Sequence, residues 1–485
     1  MDSIKKNFFY NTLYQLMIVI IPIVTTPYVT RTLGANSLGL YGYTAAIAGY
    51  FMLCSRLGFE NHGNRSIAKA RVDGSVSRTF WSVFFLQIFI GIIVIIAYVI
   101  FVVFVFRQHI ILMLTQGLIL FGTMIDVSWL FMGLERFSII ILRNTIVKLI
   151  TIGSIFIFVQ NTQDTLVYAL IITFGQVIGF LIVLPYLKSL VKFYKPTNTE
   201  VLSQLKPILK LAIPLIAISM FTILDTVFVG LFSNNKQVAF YNMATSILAM
   251  PKSIIGALGV VMLPRIANFF AESDGSSRKD IFINPTIIFI TIYSFGAMFG
   301  LIGVSKVLAP VFLGPQFQNV SSLIVIMAFI LPIYSWGNMI RTQILIPKSN
   351  DRPYIISVIL GAIINICLNV FLIPYYGSLG AVIAILVTEY TLAIYVMWSV
   401  RHDIIFKNYF SISVYFIFNG VLMAIIIRAV GNLLGNHIIT LIIQLITGII
   451  VYGIFSFIYL RRSNNKILSG LRLKLGKYEI FNKKI

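Results

Sequence analysis

Apolar residues along this chain neither alternate with polar ones, as in a half-buried strand, nor form the narrow stripe of a soluble helix. They come in unbroken blocks separated by short basic or glycine-containing gaps. A helix that crosses a membrane needs about 20 consecutive apolar residues. Fourteen blocks meet that length, at approximately 8–30, 38–59, 79–106, 109–134, 138–160, 164–187, 207–232, 238–263, 281–304, 319–347, 352–374, 378–400, 410–430 and 437–460. Hydrocarbon offers no water to open backbone groups, so such blocks read as helices. The pattern predicts an all-α integral membrane protein with fourteen transmembrane helices. The first block is longer than the roughly 7–15 apolar residues of a signal peptide and lacks a small-residue cleavage site. It is therefore expected to be retained as the first span.

Fourteen crossings would return the chain to the side on which it started, and the basic residues say which side. One set of loops and loop edges holds about 26 of the 37 Lys and Arg residues; the opposite set holds five, Arg31, Arg107, Lys236, Lys306 and Arg428. Cytoplasmic loops carry the excess of Lys and Arg, so both termini are expected in the cytoplasm.

The longest polar connection, "KSLVKFYKPTNTEVLSQLK" at 188–206, divides the blocks into two parts. The parts resemble each other at an offset of 200: "SLGLYGYTAAI" (37–47) aligns with "QVAFYNMATSI" (237–247), and "RSIAKARVDGS" (65–75) with "RIANFFAESDGS" (265–276) given a one-residue gap. Repeats of six spans mark alternating-access transporters. The expected organisation is a lobe at 1–187, a cytoplasmic linker at 188–206, a second lobe at 207–400, two further spans within 401–460 and a basic tail at 461–485. Spans one and seven contain Pro22, Pro27 and Pro214, which predicts broken helices there.

Composition agrees: 59% of residues are hydrophobic and only 11% charged, against roughly a quarter charged in a soluble domain. The net charge of +22 would point to nucleic acid in a soluble protein; here the loop asymmetry explains it, and no nucleic-acid partner is expected. Cys54 and Cys367 both lie in apolar stretches and read as small buried hydrophobes rather than a disulfide or a metal site. The four histidines form no ligand cluster. The longest loop on the sparsely charged side, "SKVLAPVFLGPQFQ" at 305–318, leaves no room for a catalytic domain, and no phosphate-binding loop is present. A non-enzymatic protein is expected.

The chemistry therefore rests on charges inside the spans. In "TSILAMPKSIIGALGVVML" (245–263), Lys252 follows Pro251 deep within a block. It lies roughly 16 Å from the nearer end of its span at about 1.5 Å per residue, too far to snorkel. A cation there costs about 2.5–3.5 kcal/mol. It reads either as a handle for an anion in a wet cavity or as one half of a structural ion pair. Arg56 and Arg341 lie toward the cytoplasmic ends of their spans, Arg143 lies at the depth of Asp126, with which it can pair, and Lys148 is deeper. Asn144 and Lys148 are four apart and share a helix face. Cations from several spans with few acids to balance them predict a positive, water-filled cavity suited to phosphate. Among polar groups, Asp225, Asn365 and Asn369 either form an oxygen site for a small cation or serve as interhelical hydrogen-bonding groups. Glu389 either carries a proton or pairs with a cation.

"IDVSWLFMGLERFSIIILRNTIVKLI" (125–150), "PIVTTPYVTRTLGANSLGLYGY" (22–43) and "GAIINICLNVFLIPYYGSLGAVIA" (361–384) resemble stretches of bacterial Wzx-type polysaccharide repeat-unit flippases. The wider group is the multidrug/oligosaccharidyl-lipid/polysaccharide exporter superfamily. The resemblance covers nearly the whole chain. It implies two pseudo-symmetric six-helix lobes facing each other as a V, two extra C-terminal helices and a bacterial cytoplasmic (inner) membrane location. It implies a polyprenyl-pyrophosphate-linked oligosaccharide as substrate, its head crossing a basic central cavity while the lipid tail follows a groove continued by spans thirteen and fourteen. By span, Arg31, Arg56 and Lys252 match the basic residues that line the cavity in lipid II relatives, and Arg31 falls at an outer end. A sodium site of those relatives would fall on Asp225, Asn365, Asn369 and Thr388, with Asn369 standing where a carboxylate is expected.

The function expected is therefore a flippase that moves the lipid-linked repeat unit from the inner to the outer leaflet by alternating access, for export of capsule, O-antigen or a similar surface polysaccharide. No cofactor is expected beyond Na+ or H+ as coupling ion. Membrane lipids, and the polymerase and glycosyltransferases of the same pathway, are the expected partners. A flippase for lipid II or a teichoic-acid-type precursor is the near alternative. A cation-coupled drug antiporter would prefer an acidic, aromatic cavity. A membrane polymerase or glycosyltransferase would need a large catalytic outer loop.

Overall fold

The computed structural model describes residues 2–272, 279–348, 350, 352–402 and 406–462, with side chains described for most of them. The expected tail beyond 462 and the segment 273–278 of the internal repeat lie outside the described residues. Every regular element among the described residues is a helix.

Residues 1–239 form one compact unit and 240–485 another. The first contains α1 (Asp2–Arg56), α2 (Phe59–Val72), α3 (Val76–Val105), α4 (Ile110–Met124), α5 (Ser128–Gly133), α6 (Phe137–Phe158), α7 (Thr165–Ile182), α8 (Leu187–Leu190), α9 (Asn198–Ser203), α10 (Leu205–Thr222) and α11 (Leu224–Phe232). The unit boundary falls in the first turns of α12 (Asn235–Glu272). The second unit continues with α13 (Lys279–Leu308), α14 (Val320–Ala328), α15 (Ile330–Ile340), α16 (Arg352–Tyr376), α17 (Ser378–Ser399), α18 (Phe406–Leu434) and α19 (Ile438–Arg462).

Among the described residues ten helices are long and apolar enough to cross a membrane, and the bent pair Val320–Ala328 and Ile330–Leu345 makes an eleventh. The chain is a multi-pass membrane protein. The first of these helices, Ile21–Val72, has 52 residues. At 1.5 Å per residue that is roughly 78 Å of helix, more than twice the hydrocarbon thickness of about 30 Å. It contains the end of the first expected crossing, 8–30, and the whole of the second, 38–59, and breaks between them at Gly34, where φ is 74° and ψ is 174°. Only glycine adopts such a backbone without cost. The expected crossings 207–232 and 238–263 coincide with α10 plus α11 and with α12; parts of both lack described side chains.

The apolar helices are turned inside out relative to a soluble protein. On α3, Phe89, Ile93, Ile96, Ile100 and Phe104 are exposed while Phe80, Gln87, Gly91 and Tyr98 are buried. On α19 the buried seam is Thr440, Gln444, Gly448, Tyr452 and Ser456, at intervals of four, and Ile439, Ile442, Ile446 and Ile449 face outward. In lipid, apolar side chains gain nothing by packing together. Small and polar groups bring helices close and hydrogen-bond across them. Asn419 accordingly donates to Ser456 Oγ at 3.0 Å, and the Tyr452 hydroxyl donates to the Ile292 carbonyl at 2.8 Å.

Two expectations change. The prolines do not break their helices: α1 runs through Pro22 and Pro27 and α10 through Pro214. The interruptions come later, at Gly34 and at Ile223. A proline removes a single backbone donor, which a membrane-spanning helix tolerates, whereas Gly34 adopts a conformation no continuous helix contains. Cys54 and Cys367 are exposed rather than buried; an apolar span does not imply an interior position when lipid is the solvent.

Candidate functional site

Inside the first unit, an unwound turn sets the geometry. Between α4 and α5 the chain leaves the helix at Ile125–Val127. The buried Gln87 of α3 holds this break: its Nε2 donates to the carbonyls of Thr123 at 3.0 Å and Asp126 at 2.9 Å, and its Oε1 accepts from Trp129 Nε1 at 2.9 Å. Phe80, Trp129, Phe131 and Ile67 pack around it. The break presents the Asp126 carboxylate, whose Oδ1 accepts from the Ser128 N–H at 2.9 Å and the Ser128 hydroxyl at 2.5 Å.

Asp126 forms its salt bridge with Arg56 at 3.6 Å. Arg143, the partner weighed from the sequence, reaches Ser128 Oγ at 3.1 Å and so joins the carboxylate through that hydroxyl. Arg143 also grips Asn144 Oδ1 from Nε at 3.0 Å and from Nη2 at 2.7 Å. Arg56 and Arg143 stand over the Phe180 ring at 5.8 and 5.6 Å. Arg56, Arg143, Asn144, Lys148, Gln176 and Phe180 line one cavity of ≈ 390 Å3. Lys148 forms no salt bridge among the described residues. Three cations thus line one cavity, and one carboxylate, Asp126, is linked to two of them, Arg56 directly and Arg143 through Ser128. Gln176 and Phe180 were missed from the sequence; a glutamine in the middle of the apolar block 164–187 was the available signal.

The second unit treats its cations differently. Lys252 Nζ donates to Glu389 Oε1 at 2.7 Å, the side chains being 21 and 13% exposed. The same ammonium lies 4.3 Å from the centre of the Tyr334 ring. Lys252 and Glu389 thus form with each other the ion pair that the sequence left as one alternative for each. Arg341 opens a π-helical turn, Arg341–Leu345, and stacks over Tyr354 at 4.1 Å. Such wide turns recur at functional positions.

Arg31 is exposed on α1, three residues before the Gly34 break. Asp225 is fully buried in the first turn of α11, beside the Ile223 interruption. Asn365 and Asn369, both fully buried on α16, bond to each other, Asn369 Nδ2 donating to Asn365 Oδ1 at 3.0 Å. Thr388, buried on α17, donates to its own helix at the Ala384 carbonyl. Asp225 belongs to the first unit and Asn365, Asn369 and Thr388 to the second. Among the described residues no group of three His, Cys, Asp or Glu side chains is placed to hold a metal ion.

The chain is 23% identical over 408 residues to an Escherichia coli K12 protein named "Putative O-antigen transporter", covering 83% of this chain and 97% of that one. A Shigella dysenteriae protein of the same name is 24% identical over 412 residues, covering 82% and 100%. The solved structure of the lipid II flippase MurJ, in an inward closed conformation, superposes with a TM-score of 0.75 at 16% identity, over 93% of this chain and 98% of that one. An inward-facing multidrug transporter of the MATE family superposes with a TM-score of 0.63 at 12% identity, over 79 and 94%. At such identities the two structures bear on the fold, which is that of a membrane transporter. Residues 4–270 match the family described as polysaccharide biosynthesis protein, more than half of the chain. The chain therefore belongs to the polysaccharide biosynthesis protein family, as its resemblance to the repeat-unit flippases implied.

Proposed function

We propose that this protein is a flippase for an oligosaccharide repeat unit carried on polyprenyl pyrophosphate, moving it from the inner to the outer leaflet of a bacterial cytoplasmic membrane. The observation that carries the reading is the cavity of Arg56, Arg143 and Lys148 within membrane-spanning helices. Cations in such segments are costly, and their usual justification is a charged cargo. Lysine offers a point charge and arginine a planar fork, and a diphosphate accepts both. The curated relatives, named as O-antigen transporters, support a polysaccharide cargo. The activity is transport, with both termini cytoplasmic and fourteen crossings that rock as two lobes.

The lipid tail has its own path in this reading. In the second unit α13, α18 and α19 enclose a groove of ≈ 520 Å3 whose walls include Phe289, Ile292, Leu301, Met423 and Ile449. Its apolar lining suits a polyprenyl chain. Lys252 takes part in passage by exchanging partners: the diphosphate replaces Glu389, which then takes up a proton.

The test places the full chain in cells that lack their own repeat-unit exporter and measures surface polysaccharide. Arg143→Ala and Lys148→Ala together are expected to abolish export while the protein inserts at normal levels. Full export by a well-inserted double variant would overturn the cavity's role. Accumulation of the cytoplasmic-side lipid-linked unit in the variant distinguishes failed flipping from failed synthesis.

A further inference from the structure

At the end of the tail groove marked by Gln444 lies a basic cleft with no part in the passage described so far. Its volume is ≈ 200 Å3, and its walls include Lys306, Arg428, Asn432, Asn436 and Gln444. No carboxylate lines it. Lys306 reaches Asn432 Oδ1 at 3.4 Å, and neither Lys306 nor Arg428 forms a salt bridge among the described residues. The cleft sits where α18 turns into α19, at the opposite end of α19 from Arg461 and Arg462. By the charge asymmetry of the loops this is the outer end, where the whole chain has five basic residues. Two of those five are brought to one cleft, against the trend that clears cations from that side.

Gln444 joins the cleft to the groove, because it lines both. It is fully buried; its Nε2 donates to the Ile427 carbonyl at 2.8 Å, and its Oε1 is buried without a hydrogen-bond partner. Gly431 leaves room for that amide, since a Cβ there would overlap Gln444 Nε2. A buried acceptor without a donor is costly unless something supplies one, and a hydroxyl-bearing headgroup would do so. The groove leading away from it follows α13 from Phe289 to Val304. That is roughly 22 Å of helix, longer than the single-leaflet half of a hydrocarbon core of about 30 Å. The shape suits a chain longer than a phospholipid acyl tail, with an anionic head at the cleft.

We propose that Lys306, Arg428 and Gln444 form a second, release-side anion site that holds the diphosphate and first sugar of the polyprenyl-linked unit after it has crossed, while its chain still lies in the α13–α18–α19 groove. The inference rests on the flippase reading. Two cations match a diphosphate better than the single charge of a phosphodiester lipid.

The test is native mass spectrometry of the full chain in detergent, titrated with a long-chain polyprenyl diphosphate. The wild type is expected to take up two equivalents, Lys306→Ala/Arg428→Ala one, and Arg143→Ala/Lys148→Ala one. Loss of charge-assisted contacts should weaken the second equivalent by at least about tenfold, and Lys306→Arg should retain it. Unchanged stoichiometry in Lys306→Ala/Arg428→Ala, with one equivalent still lost in Arg143→Ala/Lys148→Ala, overturns this site and leaves the flippase reading standing. Displacement of that equivalent by phosphatidylglycerol at equal concentration also overturns it, since the cleft would then recognise any anionic lipid. Absence of binding to the wild type overturns the flippase reading itself, and this site with it.

Discussion

A lysine in the middle of an apolar span needs either water or a partner, and Lys252 has Glu389 at 2.7 Å. Removing one member leaves the other stranded, which costs about 3–5 kcal/mol for a fully buried pair; the residual exposure of this pair puts the cost below that range. Glu389→Gln should therefore lower thermal stability in detergent. Lys252→Met/Glu389→Leu should recover it, because both charges leave together. If Lys252 also hands the diphosphate across, the stable double variant still fails to export polysaccharide. Recovery of export along with stability would reduce the pair to a structural device. Arg143 makes the complementary point: its reach to Ser128 and Asn144 holds the guanidinium over Phe180 and at the cavity wall, where a free arginine would snorkel toward water.

Elements here are shaped by interruptions more than by continuous helix. Gly34 divides α1, Ile223 separates α10 from α11, and the turn at Ile125–Val127 carries Asp126. Each break falls beside a residue singled out for its charge: Arg31, Asp225 and Asp126. The connection 188–206 is ordered by a capping box on α9, in which Thr197 Oγ1 accepts from the Glu200 N–H and the Glu200 carboxylate accepts from the Thr197 N–H. That backbone N–H, with the Arg78 guanidinium and the Tyr194 hydroxyl, holds the Glu200 carboxyl below the ordinary carboxylate range. A depressed folded-state pKa stabilises above the ordinary value, near about 4.3 for glutamate, and the benefit fades as pH falls through the lower folded value. Protease cleavage within 188–206 should therefore rise on acidification below that range. Glu200→Gln should be cleaved faster already at neutral pH and respond less to acid. An acid response identical to the wild type would mean that other carboxylates anchor the connection.

At the scale of the whole molecule, the two compact units handle charge differently. The first leaves three cations around a cavity, whereas the second neutralises its deepest lysine and keeps an apolar groove. A transporter needs an energy source as well as a path, and Asp225, fully buried beside a helix interruption, is the group proposed to sense a coupling cation. In proteoliposomes carrying a sodium gradient, Asp225→Asn should remove any sodium dependence of lipid-linked oligosaccharide flipping. Flipping by the wild type that is indifferent to sodium would exclude that role.

Length and periodicity of the apolar blocks were enough to establish a multi-pass helical membrane protein, because unbroken apolar runs of about 20 residues are too long for the alternating strands of a barrel, the one other structure whose backbone is satisfied in hydrocarbon. They were also enough to mark the rare charges, since each is expensive enough to stand out in a plain sequence. Pairing was not legible. Lys252 and Glu389 are 137 residues apart, and Arg56 rather than the nearer Arg143 takes Asp126. Nor was it legible which apolar residues face inward, because in lipid the hydrophobic pattern no longer separates core from surface; Cys54 and Cys367 were misplaced for that reason. Those outcomes depend on which helix faces meet. The tertiary structure decided them through small and polar seams such as Thr440, Gln444, Gly448 and Tyr452, where close approach and buried hydrogen bonds take the place of the hydrophobic effect.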